Sequence, residues 1–182
     1  IVRSFGAVNP TVLSAISLDD SRVVAQSKGG GVWSACINEY TIELWDLAGI
    51  LRASFSRQAD WFVRNDKWDG HDGSPPPSNI SALWEDGQGL LWVYVGVPGA
   101  QWKQGLIAHP GGALSVGDPD KLWDTMVEVI EPRTGQLLMS QRIDPFIRSV
   151  AQDGTTMAVR QDGNGHGYID FYRLTLRGFP IR

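Results

Sequence analysis

One order of events recurs three times along the 182 residues, and it constrains the fold more than any other feature. Residues 22–27 (RVVAQS) run through the turn Lys28-Gly29-Gly30-Gly31 into 32–37 (VWSACI). Then come 40–45 (YTIELW), the turn Asp46-Leu47-Ala48-Gly49 and 50–57 (ILRASFSR). In the second passage, 80–84 (ISALW) leads through 85–89 (EDGQG) into 90–97 (LLWVYVGV). After an insertion follow 126–130 (MVEVI), the turn 131–135 (EPRTG) and 136–142 (QLLMSQR). The third has 147–152 (IRSVAQ), Asp153-Gly154, 155–160 (TTMAVR), a Gly-rich turn at 163–167 and 168–174 (YIDFYRL).

The correspondence extends to residue type. Val24-Ala25-Gln26 parallels Val150-Ala151-Gln152, and Ile42-Glu43-Leu44-Trp45 parallels Val127-Glu128-Val129-Ile130 and Ile169-Asp170-Phe171-Tyr172. Alternation with period two, rich in β-branched and aromatic residues and punctuated by Gly and Asp, is the pattern of half-buried strands in hairpins. No 3.6-residue period competes with it. Each passage is a four-stranded meander of about forty residues, the size of one propeller blade.

The expected fold is therefore all-β and β-propeller-like, a partial propeller of about three four-stranded antiparallel blades in one domain over 1–182. The blades span 21–57, 80–143 and 145–176, with insertions at 58–79 and 98–122. In the first insertion three consecutive prolines, Pro75 to Pro77, preclude a strand interior. A short strand is expected near 13–16. Residues 1–5 (IVRSF) match the fourth-strand pattern of 50–55 (ILRASF), while the third unit shows only three clear strands. The outer strand of the last blade is thus expected from residues 1–6. Propeller rings have about four to eight blades. Three units therefore call for completion by chain beyond this sequence or by another chain, or else pack as an open stack.

Composition narrows the functional classes. The formal charge is −4 and the 16 Lys and Arg are scattered, so no basic patch for a phosphate backbone is expected. No apolar run reaches the roughly 18–20 residues of a membrane span. The single cysteine, Cys36, allows no intrachain disulfide and reads as a small buried residue of a strand.

Taken together, VWSACINEYTIELWDLAGILRASFSR, LLWVYV…VEVIEPRTGQLLMSQR and YIDFYRLTL resemble the C-terminal half of bacterial six-bladed β-propeller proteins of the NHL/TolB-like group. The resemblance runs from Ile1 to about Leu176. It implies a propeller of six blades, of which three stand here, and an extracytoplasmic (periplasmic or secreted) location. It does not imply one activity, because propellers host many.

The chemistry-bearing residues do not assemble into a catalytic signature. His71, His109 and His166 have no second His at helical spacing and no H-E-x-x-H. The loop from Asp162 echoes a calcium loop through Asn164 and Gly167. However, it places His166 where a ligand belongs and Arg173 where a closing Glu should stand, so a hairpin turn explains it better. Asp69, His71 and Asp72 fit turn composition. Asp19-Asp20, Glu128 and Glu131 are expected at turns or on solvent faces, and no G-x-S-x-G is present. No cofactor or metal follows from these residues.

Of the eight tryptophans, Trp33, Trp45, Trp84 and Trp92 lie in strands and are expected between blades. Trp61, Trp68, Trp102 and Trp123 lie in or beside the two insertions and are the candidate binding residues. An indole on a loop offers apolar area with a polar handle, as recognition surfaces do. The expected function is a non-enzymatic binding or scaffolding module that meets a protein partner or the missing propeller half, as a monomer or a homo-oligomer, through these loops. The alternative is an enzyme or lectin-like module of a completed ring that takes a sugar or lactone, with or without a divalent metal.

Overall fold

The computed structural model describes residues 21–64, 68, 73–112, 114–162 and 164–177. The expected strand near 13–16 and the outer strand from 1–6 lie outside the described residues. So do Asp19, Asp20, Asp69, His71 and Asp72.

The first sheet is the meander β1 (Arg22–Ser27), β2 (Gly31–Cys36), β3 (Thr41–Asp46) and β4 (Leu51–Ser56), each strand antiparallel to the next. The second begins with β5 (Asn79–Glu85) and β6 (Leu91–Pro98). It is interrupted by a single 3-10 turn at Trp102–Gly105 and a two-stranded ribbon, β7 (Leu106–Ala108) and β8 (Leu114–Val116). The short helix α1 (Pro119–Leu122) completes the interruption. The sheet resumes with β9 (Trp123–Glu131) and β10 (Gln136–Ile143), in the order β10-β9-β6-β5. The third sheet is β11 (Ile147–Val150), β12 (Thr155–Gln161) and β13 (Gly167–Arg173). These sheets are the blades of a partial, propeller-like, all-β fold, and we number them 1 to 3. Among the described residues no helix is long and apolar enough to cross a membrane.

The first strands of the three blades, β1, β5 and β11, pack side by side, so the blades stack face to face with their first strands innermost. Two apolar cores result. Trp33, Ala35 and Ile42 of blade 1 meet Leu91, Val93, Val95 and Val97 of blade 2. The intervening residues of the same strand, Trp92 and Tyr94, join Val127 and Val129 against Ile147 and Ala158 of blade 3. Successive residues of a strand point to opposite faces, so β6 feeds two cores at once. Its run Leu91 to Val97 is buried throughout rather than alternately. Burying one such side chain contributes roughly 1.5–3 kcal/mol, which makes blade 2 the centre of stability.

Polar groups tie the same seams. Ile80 N–H donates to the Ile37 carbonyl at 2.8 Å, and Ser81 Oγ donates to the Ile147 carbonyl at 2.7 Å. At the inner edge Trp84 Nε1 donates to the Gln152 carbonyl at 3.2 Å, and Gln152 Nε2 reaches Gln26 Oε1 at 3.4 Å. Gly154 has φ +84° beside the Trp84 ring, a place where a Cβ would be both strained and obstructed.

Four expectations need correction. Glu128 is not on a solvent face: it is 0 % exposed. It accepts from Tyr40 Oη (2.6 Å) and Ser140 Oγ (2.7 Å) and pairs with Arg57 (2.9 Å). Alternation put it correctly on the face of β9 opposite Val127 and Val129, but blade 1 covers that face, where Met126 and Ile130 join the core. The insertion after β6 is structured rather than bare loop. Cys36 is half-buried, because it ends β2 instead of sitting inside it. Of the strand tryptophans, Trp33, Trp84 and Trp92 lie at the seams between blades, Trp84 half-buried against blade 3, whereas Trp45 is half-buried on the side of blade 1 away from blade 2.

Candidate functional site

A meander places its connections alternately at its two ends. The β1–β2, β3–β4, β5–β6, β9–β10 and β11–β12 turns share one end of the blades, the turn end. The connections β2–β3, β4–β5, β6–β9, β10–β11 and β12–β13 share the other, the loop end. Both long insertions therefore emerge at the loop end, and all four candidate tryptophans lie in or beside them.

They are not equivalent there. Trp61 packs against the blade 1–blade 2 core, edge-on to Tyr40 (centroids 6.0 Å) and Phe62 (6.1 Å). Its carbonyl accepts from Ser78 Oγ at 3.2 Å, and the Ser78 N–H donates to Val63 at 2.8 Å, which pins the ends of the first insertion together. Trp68 spends its indole N–H on the Ser74 carbonyl (3.0 Å). Trp123 packs on Phe146 (5.2 Å) and donates to the Pro77 carbonyl (3.4 Å), so it links the second insertion to the first. Trp102 is half-buried in the 3-10 turn with the Lys103 ammonium 5.4 Å from its ring centroid. Trp61 and Trp123 thus fix the insertions to the blades, and Trp102 stands where the ribbon leaves them.

Reasoning from the sequence missed the ribbon. Ile107 is 50 % and Val116 46 % exposed, on opposite faces of the β7–β8 ribbon that follows the Trp102 turn. The base of the ribbon is firmly held. Gly117 and Asp118 N–H both donate to the Gly105 carbonyl (2.9 and 3.0 Å), and Asp118 caps α1 at Asp120 N–H. Leu122 is fully buried. The turn residues Pro110-Gly111-Gly112 between two short apolar runs, Leu106-Ile107-Ala108 and Leu114-Ser115-Val116, were the available signal for this hairpin. Burial raises the Asp120 carboxyl above the usual carboxylate range, and the nearby Asp118 and Asp144 add to the effect.

The turn end holds a cleft of about 970 Å³ between blades 1 and 2, lined by Trp33, Leu44, Glu85, Gln88, Arg133 and Gln136 among others. Glu85 accepts the Trp33 indole N–H at 2.6 Å and the Lys28 N–H at 3.3 Å. Glu131 is held ionised, at about 2, chiefly by the Thr134 hydroxyl and also by Arg133. Trp33 is only 1 % exposed, so the cleft offers no open aromatic platform.

Among the described residues no three or more His, Cys, Asp or Glu side chains come together to hold a metal. In the β12–β13 connection the Asp162 carboxylate accepts the N–H groups of Asn164 and His166 (both 2.9 Å). It also meets His166 Nδ1 and Tyr168 Oη (both 3.1 Å), as in a hairpin turn.

No protein-family model and no curated protein matches the chain. Among solved structures, one described as a streptogramin B lyase structure aligns over 90 % of this chain and 72 % of its own. The identity is 14 % and the TM-score 0.30. An overlay that loose carries no argument, and the blade architecture rests on strand order and packing.

Proposed function

We propose that the three sheets form one propeller-like domain, part of a larger ring of the six-bladed NHL/TolB-like kind, that acts as a non-enzymatic protein-binding module through its loop end. The observation that carries this reading is the ribbon. It presents Ile107 to solvent on one face and Val116 on the other, directly after the turn that bears Trp102, while its base is anchored by Leu122 and the Gly105 carbonyl. Exposed apolar area on a rigid support, with an aromatic at its edge, is the composition of an interaction hot spot. Trp61, Trp68 and Trp123 serve it indirectly by holding the insertions in place. The partners we propose are a protein at the loop end and the blades that complete the stack.

Photo-crosslinking tests this. A photoreactive side chain placed at 107 or 116 should yield protein adducts in extract of the source cells. One placed at Leu47, 66 % exposed at the turn end, should not. Equal adducts from both ends, or none from the ribbon, contradict the reading.

A second reading is favoured by the turn-end cleft, whose Glu85, Gln88 and Gln136 could orient a sugar or lactone. It ranks below the first because the Trp33 ring is covered. A sugar and divalent-ion panel that raises the thermal midpoint would support it.

A further inference from the structure

The three repeats present one face toward the next blade in chain order and one toward the previous blade. On β3, Ile42 and Leu44 point forward and pack against blade 2, Ile42 fully buried. The matching residues of β9, Val127 and Val129, point forward and are covered by blade 3, at 2 % and 0 % exposure. The third pair, Ile169 and Phe171 of β13, points forward as well, because Ala158, Asp170 and Tyr172 occupy the side facing blade 2. Ile169 and Phe171 are 60 % and 64 % exposed. Met157 and Val159, paired with them across β12, complete an apolar face.

Blade 1 carries the other end of the pattern. Its backward face has Val24 at 65 % and Leu51 at 44 % exposure, with half-buried Val32 and Trp45 between the strands that bear them. Glu43 stands there in the place that Glu128 has in blade 2, with Ser54 opposite it as Ser140 is opposite Glu128. Arg22 (2.7 Å) and the Trp45 indole N–H (3.1 Å) already satisfy Glu43, so covering this face would not bury a lone charge.

We infer that the forward face of blade 3 docks the backward face of blade 1 in a second copy of this chain. The inference rests on the reading of the domain as part of a ring, and it names the surface and the partner. Among the described residues both seams have this geometry, and the two faces they leave over are its two halves. The contact is heterologous, so repetition either closes a ring or runs on. Two copies bring six blades, within the about four to eight of propeller rings.

Sedimentation of the 182-residue chain tests it. The expected particle has twice the 20.0 kDa chain mass. Val24→Asp and Phe171→Asp should each yield monomer with an unchanged far-UV spectrum and thermal midpoint in dilute solution, since both side chains are exposed. Mixing the two variants should restore dimer, because one pairing between them retains both wild-type faces. A monomeric wild-type chain overturns the inference, as does a mixture that stays monomeric or a dimer indifferent to Val24→Asp. Ribbon substitutions such as Ile107→Asp should leave the mass unchanged, so failure of the loop-end reading is told apart from failure of this one.

Discussion

Blade 2 and blade 3 are built from the same repeat, yet one is a core and the other a surface. Val127 and Val129 are sealed, whereas Ile169 and Phe171, at the matching positions, are mostly exposed. Glu128 is entirely buried, whereas its counterpart Asp170 pairs with Arg160 at 2.9 Å with 30 % of its side chain exposed. The local sequence hardly differs. For the apolar pair the difference is a neighbour on the forward face, so that burial belongs to the position in the stack rather than to the strand. Both acids face the preceding blade, but blade 1 sends Tyr40 and Arg57 onto Glu128, whereas Asp170 meets Arg160 of its own blade.

The contrast breaks most sharply at the paired acids. Glu128→Ala strands the Arg57 guanidinium and leaves Tyr40 and Ser140 without their acceptor. A loss of about 3–5 kcal/mol in urea unfolding is expected. Asp170→Ala, at the matching place in blade 3, should cost less than about 1 kcal/mol. Burial raises the Tyr40 hydroxyl far above the ordinary phenol range and Glu128 adds to this, so Tyr40 stays a donor at every working pH. Comparable costs for the two acids would refute the distinction.

The apolar positions give the next largest difference. Leu91→Ala should cost about 2–5 kcal/mol. Ile169→Ala in the dilute chain should stay within about 0.5 kcal/mol. Glycines sharpen the same comparison on blade 3 alone. Gly154→Ala pushes a Cβ into Trp84 at a positive φ and should cost about 1–3 kcal/mol. At Gly167 a Cβ meets nothing, and the change should be close to neutral.

The smallest effect is at the turn end. The Glu131 carboxyl is lowered from 4.5 to about 2, so its contribution is fully present above the unfolded value. It fades as pH falls from about 4.5 to about 2. Thr134→Val should therefore lower the thermal midpoint near pH 7 and change it little near pH 2.

The strands and their turns were legible in the sequence because their determinants are local. Alternating apolar residues fix the two faces of a strand, and turns such as Gly49 (φ 79°) and Gly135 (φ 70°) need a residue tolerant of positive φ. Glu128 was legible only as the polar member of an apolar–acid–apolar triplet shared with Glu43 and Asp170. The groups that bury it, Tyr40 and Arg57, stand 88 and 71 residues away. The ribbon escaped for a different reason. Its strands have three residues each, too short for periodicity to separate them from loop, although Gly111 and Gly112 at φ 91° and 89° mark its turn. Among the candidate tryptophans, the residue type revealed an apolar ring near a loop but not whether Trp61 would turn inward.

Hydrogen exchange followed across a dilution series tests the central contrast most directly, by comparing 91–98 of blade 2 with 167–173 of blade 3. The account predicts that 91–98 exchanges slowly at every protein concentration. By contrast, 167–173 should exchange fast in dilute solution and slow down as copies dock on it. Equal protection of the two segments, or slow exchange of 167–173 that ignores concentration, would contradict it.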